Sequence, residues 1–268
     1  FCKQVRKMSF PKRSLGQNFL NDKNIIKKIV SLINVKNKNI VEIGPGKGAL
    51  TGEIIKQKPK TLLIIEKDEK LAKELKKKYQ KDKFIKVITS DVLKYNLEKE
   101  ISNNSYIFGN LPYNVSSQIL VKLLKFEIWP PKFCGLILMF QKELAEKIIG
   151  RFPSKNYGRI SILTNFRLKL VDKFIVSKNC FRPMPKVTSM VVHFQPKKKF
   201  TFSIKNLTNL EKITQIFFSS KRKIIKKKIQ SILNEKQIKK IDGIKLNLRP
   251  SDLKPEIYYH ITQLYEGN

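Results

Sequence analysis

The chain has 268 residues and carries 56 Lys+Arg against 21 Asp+Glu, a formal charge of +35 at pH 7. That length suits one large domain or a larger plus a smaller one, and no apolar run approaches the roughly 20 residues of a membrane-spanning helix. Three scattered cysteines, Cys2, Cys134 and Cys180, form neither a disulfide framework nor a zinc pattern, and the charge excess points to a polyanionic partner such as nucleic acid. Nearly all of that excess is Lys in a chain also heavy in Ile and Asn, so most individual lysines read as solvated charge.

Residues Phe1 to Met8 lack the apolar stretch of a secretory signal, so a cytoplasmic protein is expected. With Met8 just ahead, the first seven residues read as an upstream extension or a processed end. A basic, then polar lead-in follows from Lys12 to Asp22, in which Gln17 and Asn18 offer amides able to fold over a ligand. It runs into an amphipathic helix predicted over Lys23 to Asn34, with Ile25, Ile26, Ile29, Val30 and Ile33 on one face.

The strongest organising signal is Asn39-Ile40-Val41-Glu42-Ile43-Gly44-Pro45-Gly46-Lys47-Gly48, an apolar strand feeding a glycine-rich turn and a helix through Ile55. Glycines let a backbone approach a ligand closely. The spacing is G-x-G-x-G with an acidic residue before it, neither the dinucleotide form nor a phosphate-cradling P-loop. Methyltransferases that bind S-adenosylmethionine characteristically show this form. The next strand, Thr61 to Glu66, ends on a carboxylate about twenty residues beyond the glycines, where a nucleotide-binding fold places its ribose ligand. A helix from Asp68 to Tyr79, a strand from Phe84 to Ile88 and the pair Ser90-Asp91 come next. Each of these acids also suits a helix cap. Glu42, Glu66, Asp91 and Asn110 all fall at the carboxyl ends of predicted strands, where open α/β sheets bind ligands.

Tyr106-Ile107-Phe108-Gly109 leads into Asn110-Leu111-Pro112-Tyr113. This stretch supplies an amide, a carbonyl with no competing N–H, and an aromatic face. An amino group on an aromatic base needs that set, because two acceptors, Asn110 Oδ1 and a carbonyl near Leu111 or Pro112, localise the lone pair of its nitrogen. Tyr113 would stack on the base. Asn and Pro are turn residues as well, so the stretch alone also reads as a turn.

A helix is predicted over Val115 to Lys125, a buried strand over Gly135 to Phe140 and a helix over Lys142 to Ile149. The basic, aromatic loop 150–159 suits RNA contact or simple connection. Strands are predicted over Leu168 to Val176 and Met190 to Phe194. Between them Phe181-Arg182-Pro183-Met184-Pro185 forms a stiff loop able to hold Phe181 as the second wall of a base pocket, or as a core ring. From Pro196 the texture becomes helical and basic, with helices predicted over Leu207 to Ser219, Lys223 to Leu233, Glu235 to Ile241 and Asp252 to Tyr265. His193 and His260 lack the company of a metal site.

Taken together, Gly16-Gln17-Asn18-Phe19-Leu20, Glu42-Ile43-Gly44-Pro45-Gly46, Asn110-Leu111-Pro112-Tyr113-Asn114, Phe181 to Val187 and Leu248-Arg249-Pro250 resemble the ribosomal RNA adenine N6-dimethyltransferases, specifically the small-subunit branch. The antibiotic-resistance methylases of large-subunit RNA typically have Ser where Gly16 stands. The resemblance implies an α/β fold: a Rossmann-like methyltransferase sheet with helices on both faces over 1–195, plus a small all-helical, basic domain for RNA contact over 196–268. It implies S-adenosylmethionine as cofactor, contacted by Asn18, Leu20, Gly44, Gly46, Glu66, Asp91 and Asn110, and no metal. The implied reaction is direct methyl transfer to two adjacent adenosines near the 3′ end of small-subunit RNA. Asn110, Leu111 and Pro112 would orient N6, with Tyr113 and Phe181 clamping the ring. The implied partner is small-subunit RNA in a pre-ribosomal particle, met by a monomer away from any membrane. Two alternatives stand beside this reading: a large-subunit methylase, and a non-catalytic RNA-binding assembly factor.

Overall fold

The computed structural model describes residues 18–267. The expectations on Gln17 and on residues 1–7 lie outside the described residues. The elements in order are β1 (Phe19–Leu20), α1 (Lys23–Val30), β2 (Asn39–Ile43), α2 (Ala49–Lys56), β3 (Thr61–Glu66), α3 (Glu69–Lys78), β4 (Ile85–Thr89), α4 (Leu97–Glu100), β5 (Ser105–Asn110), α5 (Ser116–Leu124) and β6 (Phe133–Gln141). They continue with α6 (Lys142–Ile148), α7 (Arg159–Arg167), β7 (Leu168–Val176), β8 (Phe181–Arg182), β9 (Ser189–Pro196), α8 (Leu207–Phe218), α9 (Lys226–Gln230), α10 (Glu235–Lys239) and α11 (Pro255–Tyr265).

One seven-stranded sheet runs β4-β3-β2-β5-β6-β9-β7. The pairs from β4 to β6 are parallel, and β9 lies antiparallel to β6. Strands such as Leu62-Leu63-Ile64-Ile65 and Leu136 to Phe140 are continuous apolar runs, the pattern of strands covered on both faces. The order reverses between β2 and β5, the topological switch point at which such sheets bind ligands. The fold is α/β and Rossmann-like, as expected.

The chain divides into two compact units. The first takes residues up to 119, 132–142 and 171–194, and its core gathers Ile29, Ile40, Ile54, Ile64, Phe108 and Phe181. Its helices begin on side-chain caps: Asp22 accepts from the amides of Asn24 and Ile25, and Asp68 from those of Lys70 and Leu71. The second takes 120–131, 143–170 and the chain from 195 onward, so the tail shares a compact body with two earlier segments. Within it buried tyrosine hydroxyls tie loop to loop and helix to helix: Tyr157 donates to the Leu253 carbonyl at 2.9 Å and Tyr259 of α11 to that of Ile162 in α7 at 3.1 Å.

Three helix expectations shift, and one helix was not expected. The helix predicted over Lys23 to Asn34 stops at Val30, and that over Lys223 to Leu233 shortens to Lys226–Gln230. The last helix starts at Pro255, which suits the first helical turn because it has no N–H to satisfy. Helix α7 fills a stretch left without an element. It is buried around most of its circumference, with Ser161, Ile162, Leu163, Thr164, Phe166 and Arg167 all inside, so its sequence shows no apolar stripe.

Candidate active site

A cleft opens at the carboxyl ends of β2, β3 and β5, entirely within the first unit. Its walls include Asn18, Leu20, Glu42, Gly44, Gly46, Glu66, Lys67 and the run Asn110 to Val115. Most of the residues singled out from the sequence therefore meet in one place.

The β2–α2 turn needs its glycines. Gly44 and Gly46 have φ of +65° and +58°, a region that side chains other than glycine rarely adopt. A Cβ on Gly46 would stand 2.8 Å from the Phe19 ring. On Gly44 it would sit 3.8 Å from the Asn110 carbonyl oxygen and Pro112 Cδ, filling the space between the two loops.

Across that space the end of β5 presents Asn110. Its Nδ2 donates to the Asn18 carbonyl at 3.0 Å, which leaves Oδ1 as the end of the amide available to a ligand. The Leu111 side chain folds back over Gly109 and is buried. The Tyr113 hydroxyl shares a 2.6 Å hydrogen bond with Ser189 Oγ, fixing the ring at the cleft wall. Burial raises the Tyr113 pKa.

Two carboxylates sit deep in the cleft. Glu66 Oε2 accepts from the Gly46 amide at 3.1 Å and Oε1 from the Asp68 amide at 2.8 Å, and the Lys67 amide adds a further backbone contact. Its pKa is raised by burial, against the lowering effect of the Asp68, Gly46 and Lys67 amides. Glu42 is pushed up to about 7 by burial, even though Thr51 Oγ1 donates to its Oε2 at 2.6 Å.

A family model described as ribosomal RNA adenine dimethylase matches residues 8–266. The ribosomal RNA small subunit methyltransferase A of Pelagibacter ubique is 45% identical over 260 residues, 95% of this chain and 97% of that protein. The chain belongs to the ribosomal RNA adenine dimethylase family. Among solved structures, a dimethyladenosine transferase from Plasmodium falciparum is similar with a TM-score of 0.77 at 24% identity, covering 93% of this chain and 98% of that one. A 23S rRNA methyltransferase is similar at 0.68 and 22% identity, covering 93% and 100%. At these identities the two likenesses show the fold.

In this dimethylase-family chain two expected site residues stand off the cleft wall. Phe181 is fully buried, paired through β8 with Leu20 of β1 and packed in the core, so its ring is not a second wall of the base pocket. The physical reason is the β1–β8 ladder, which turns the side chain inward. Asp91 stands behind Lys67, whose Nζ lies 2.8 Å from Asp91 Oδ2. Its Oδ1 accepts from the Leu93 amide at 2.9 Å, the turn-capping role. The hydrogen bond from Lys67 holds the Asp91 pKa below its ordinary value.

Sequence reasoning passed over Ser189, Thr51 and Lys67. Ser189 closes the Phe181 to Ser189 segment but follows no pattern that ties it to Tyr113. Thr51 lies one helical turn beyond the glycines, and only the fold brings it to Glu42.

Proposed function

We propose that the cleft binds S-adenosylmethionine and that the chain dimethylates the N6 amino groups of two adjacent adenosines near the 3′ end of small-subunit ribosomal RNA. The cofactor supplies an electrophilic methyl group when bound. The residues fit it: the glycine turn leaves a cradle that a Cβ at Gly44 would occupy, and the Glu66 carboxylate offers its remaining acceptor capacity to the ribose hydroxyls. Asn18, Leu20 and Gly46 complete the holding surface, and Asp91, anchored through Lys67 to the cleft, meets the adenine end.

The observation that carries the reading is the one-ended tether of Asn110. With Nδ2 committed to Asn18, Oδ1 accepts one N6 hydrogen, and a carbonyl at Leu111 or Pro112 accepts the other. Both acceptors are in place before the substrate arrives, so no reorganisation is needed at the reacting atom. Tyr113, fixed by Ser189, stacks on the flipped adenine. The N6 proton is lost after transfer, so the residues need only orient the nitrogen.

The assignment to small-subunit RNA rests on the 45% identical relative, since the fold itself is shared with a large-subunit methylase. With it go a cytoplasmic monomer acting on a pre-ribosomal particle, methyl transfer carried by residues within 1–195, and a basic helical tail over 196–268 that grips RNA. The test is mass spectrometry of nucleosides from undermethylated small subunits incubated with the protein and S-adenosylmethionine. Dimethyladenosine is expected in the small-subunit RNA. Product only in large-subunit RNA would shift the assignment to the resistance-type branch, and binding without product would make the chain an assembly factor. Glu66→Ala should weaken cofactor binding, because the ribose hydroxyls lose a charge-assisted acceptor. An unchanged Kd by calorimetry would remove Glu66 from the site.

A further inference from the structure

The second unit holds a cleft of its own, lined by Glu127, Trp129, Phe166, Arg167 and the stretch Phe200 to Lys205. Its back wall is built rather than loose. Arg167 donates to the carbonyls of Leu124 at 2.5 Å and Phe126 at 2.6 Å, and its guanidinium lies 4.4 Å from the Trp129 ring centroid. Trp129 Nε1 in turn donates to the Lys197 carbonyl at 2.9 Å. On the other side Phe200 stacks on Phe166 at 5.0 Å with the rings 30° apart, and it stays 39% exposed. A large aromatic ring held in place yet left open to solvent is a stacking platform, and it loses little entropy when a ligand arrives.

The charges around the cleft select the ligand. Lys198 and Lys199 precede Phe200, Lys205 closes the stretch, and all three are exposed. Glu127 and Arg167 put one charge of each sign on the inner lining, and the Arg167 guanidinium is spent on two backbone carbonyls, so the interior gives a phosphate no net attraction. Cations at the rim around an interior of balanced charge with an open aromatic ring suit a strand whose backbone stays outside while a base enters. We propose that this cleft is a second RNA site, taking an unpaired nucleobase of a single strand against Phe200. It goes beyond the methyl-transfer reading and shares with it only the premise that RNA is the ligand.

Trp129 is the one tryptophan of the chain, so its fluorescence reports on this cleft alone. The experiment titrates the full-length protein with a short single-stranded oligoadenylate, and separately with heparin as a polyanion without bases. RNA is expected to quench Trp129 saturably, while heparin leaves the emission unchanged. Phe200→Ala should weaken the RNA titration about five- to 150-fold, the range set by base–aromatic stacking. Phe200→Tyr should restore it, which separates stacking from a folding defect. Asn110→Ala should leave the quench intact, so failure of the methyl-transfer reading is distinguishable from failure of this one. Equal quenching by heparin and RNA, or a Phe200→Ala variant that binds like wild type, would overturn the proposal. So would Trp129 emission that ignores RNA and responds to a short aromatic peptide, which would make the cleft a protein-docking site.

Discussion

Asn110 shows how one contact can assign a side chain's job. Because Nδ2 is spent on the Asn18 carbonyl, the acceptor end is the one left for a ligand, and under the proposed function the residue need not choose between orientations as the substrate enters. Asn110→Ala should therefore lower the transfer rate by on the order of 10²–10³, with a much smaller change in cofactor Kd. A parallel collapse of Kd and rate, seen by calorimetry beside a methyl-transfer assay, would make the residue chiefly a cofactor ligand. Glu42 is the pH-sensitive group beneath the same cleft. Its carboxyl is raised from 4.5 to about 7 by burial, so its contribution to the stability of the free protein is full below about 4.5 and lost as pH rises through about 7. A cationic ligand favours the ionised form, so cofactor affinity should rise as pH climbs through 7, with proton release on binding. Glu42→Gln should flatten both trends. Identical pH profiles for the two proteins would show that Glu42 does not sense the ligand's charge.

Among elements, the basic run at α9 divides into unlike lysines. Lys228 Nζ donates to the carbonyls of Phe217 at 2.5 Å and Ser220 at 3.2 Å, satisfying the carboxyl end of α8. A cation there also meets the negative end of the helix dipole. Burial lowers its pKa. Lys226 and Lys227 are exposed. Lys228→Met should thus cost about 1 kcal/mol of stability, read as a lowered denaturation midpoint, whereas Lys226→Met and Lys227→Met should leave the midpoint where it is. Equal midpoints for all three would dissolve the distinction.

At the scale of the whole molecule, a charge of +35 ensures that RNA binding depends on salt but does not say which cations touch phosphate. Lys226 and Lys227 test the point without disturbing α8. Each true phosphate contact removed should flatten the log–log salt slope by roughly 0.7–0.9. Fluorescence anisotropy of an RNA fragment across a salt series gives the slope for wild type and for the double Met variant. A slope that does not move assigns these two lysines to the compositional excess.

The sequence by itself determined the parallel sheet and the place of its site. Strands covered on both faces are largely apolar, so Ile40-Val41 and Ile43 around Glu42, Leu62 to Ile65 and Ile107-Phe108 announce themselves, and the groups that end them fall at one edge of the sheet. Helix α7 did not announce itself, because a helix buried on nearly all sides carries no stripe. Only the tertiary structure decided which way side chains point. The two-residue strands β1 and β8 are too short to show a period and lie far apart in sequence, yet their pairing turns Phe181 into the core and takes away the expected second pocket wall. The same holds for Tyr113 on Ser189, Thr51 on Glu42 and Lys228 on α8. Residue types and spacing tell which groups are available, but a hydrogen bond between distant segments exists only once the chain has brought them within about 3 Å.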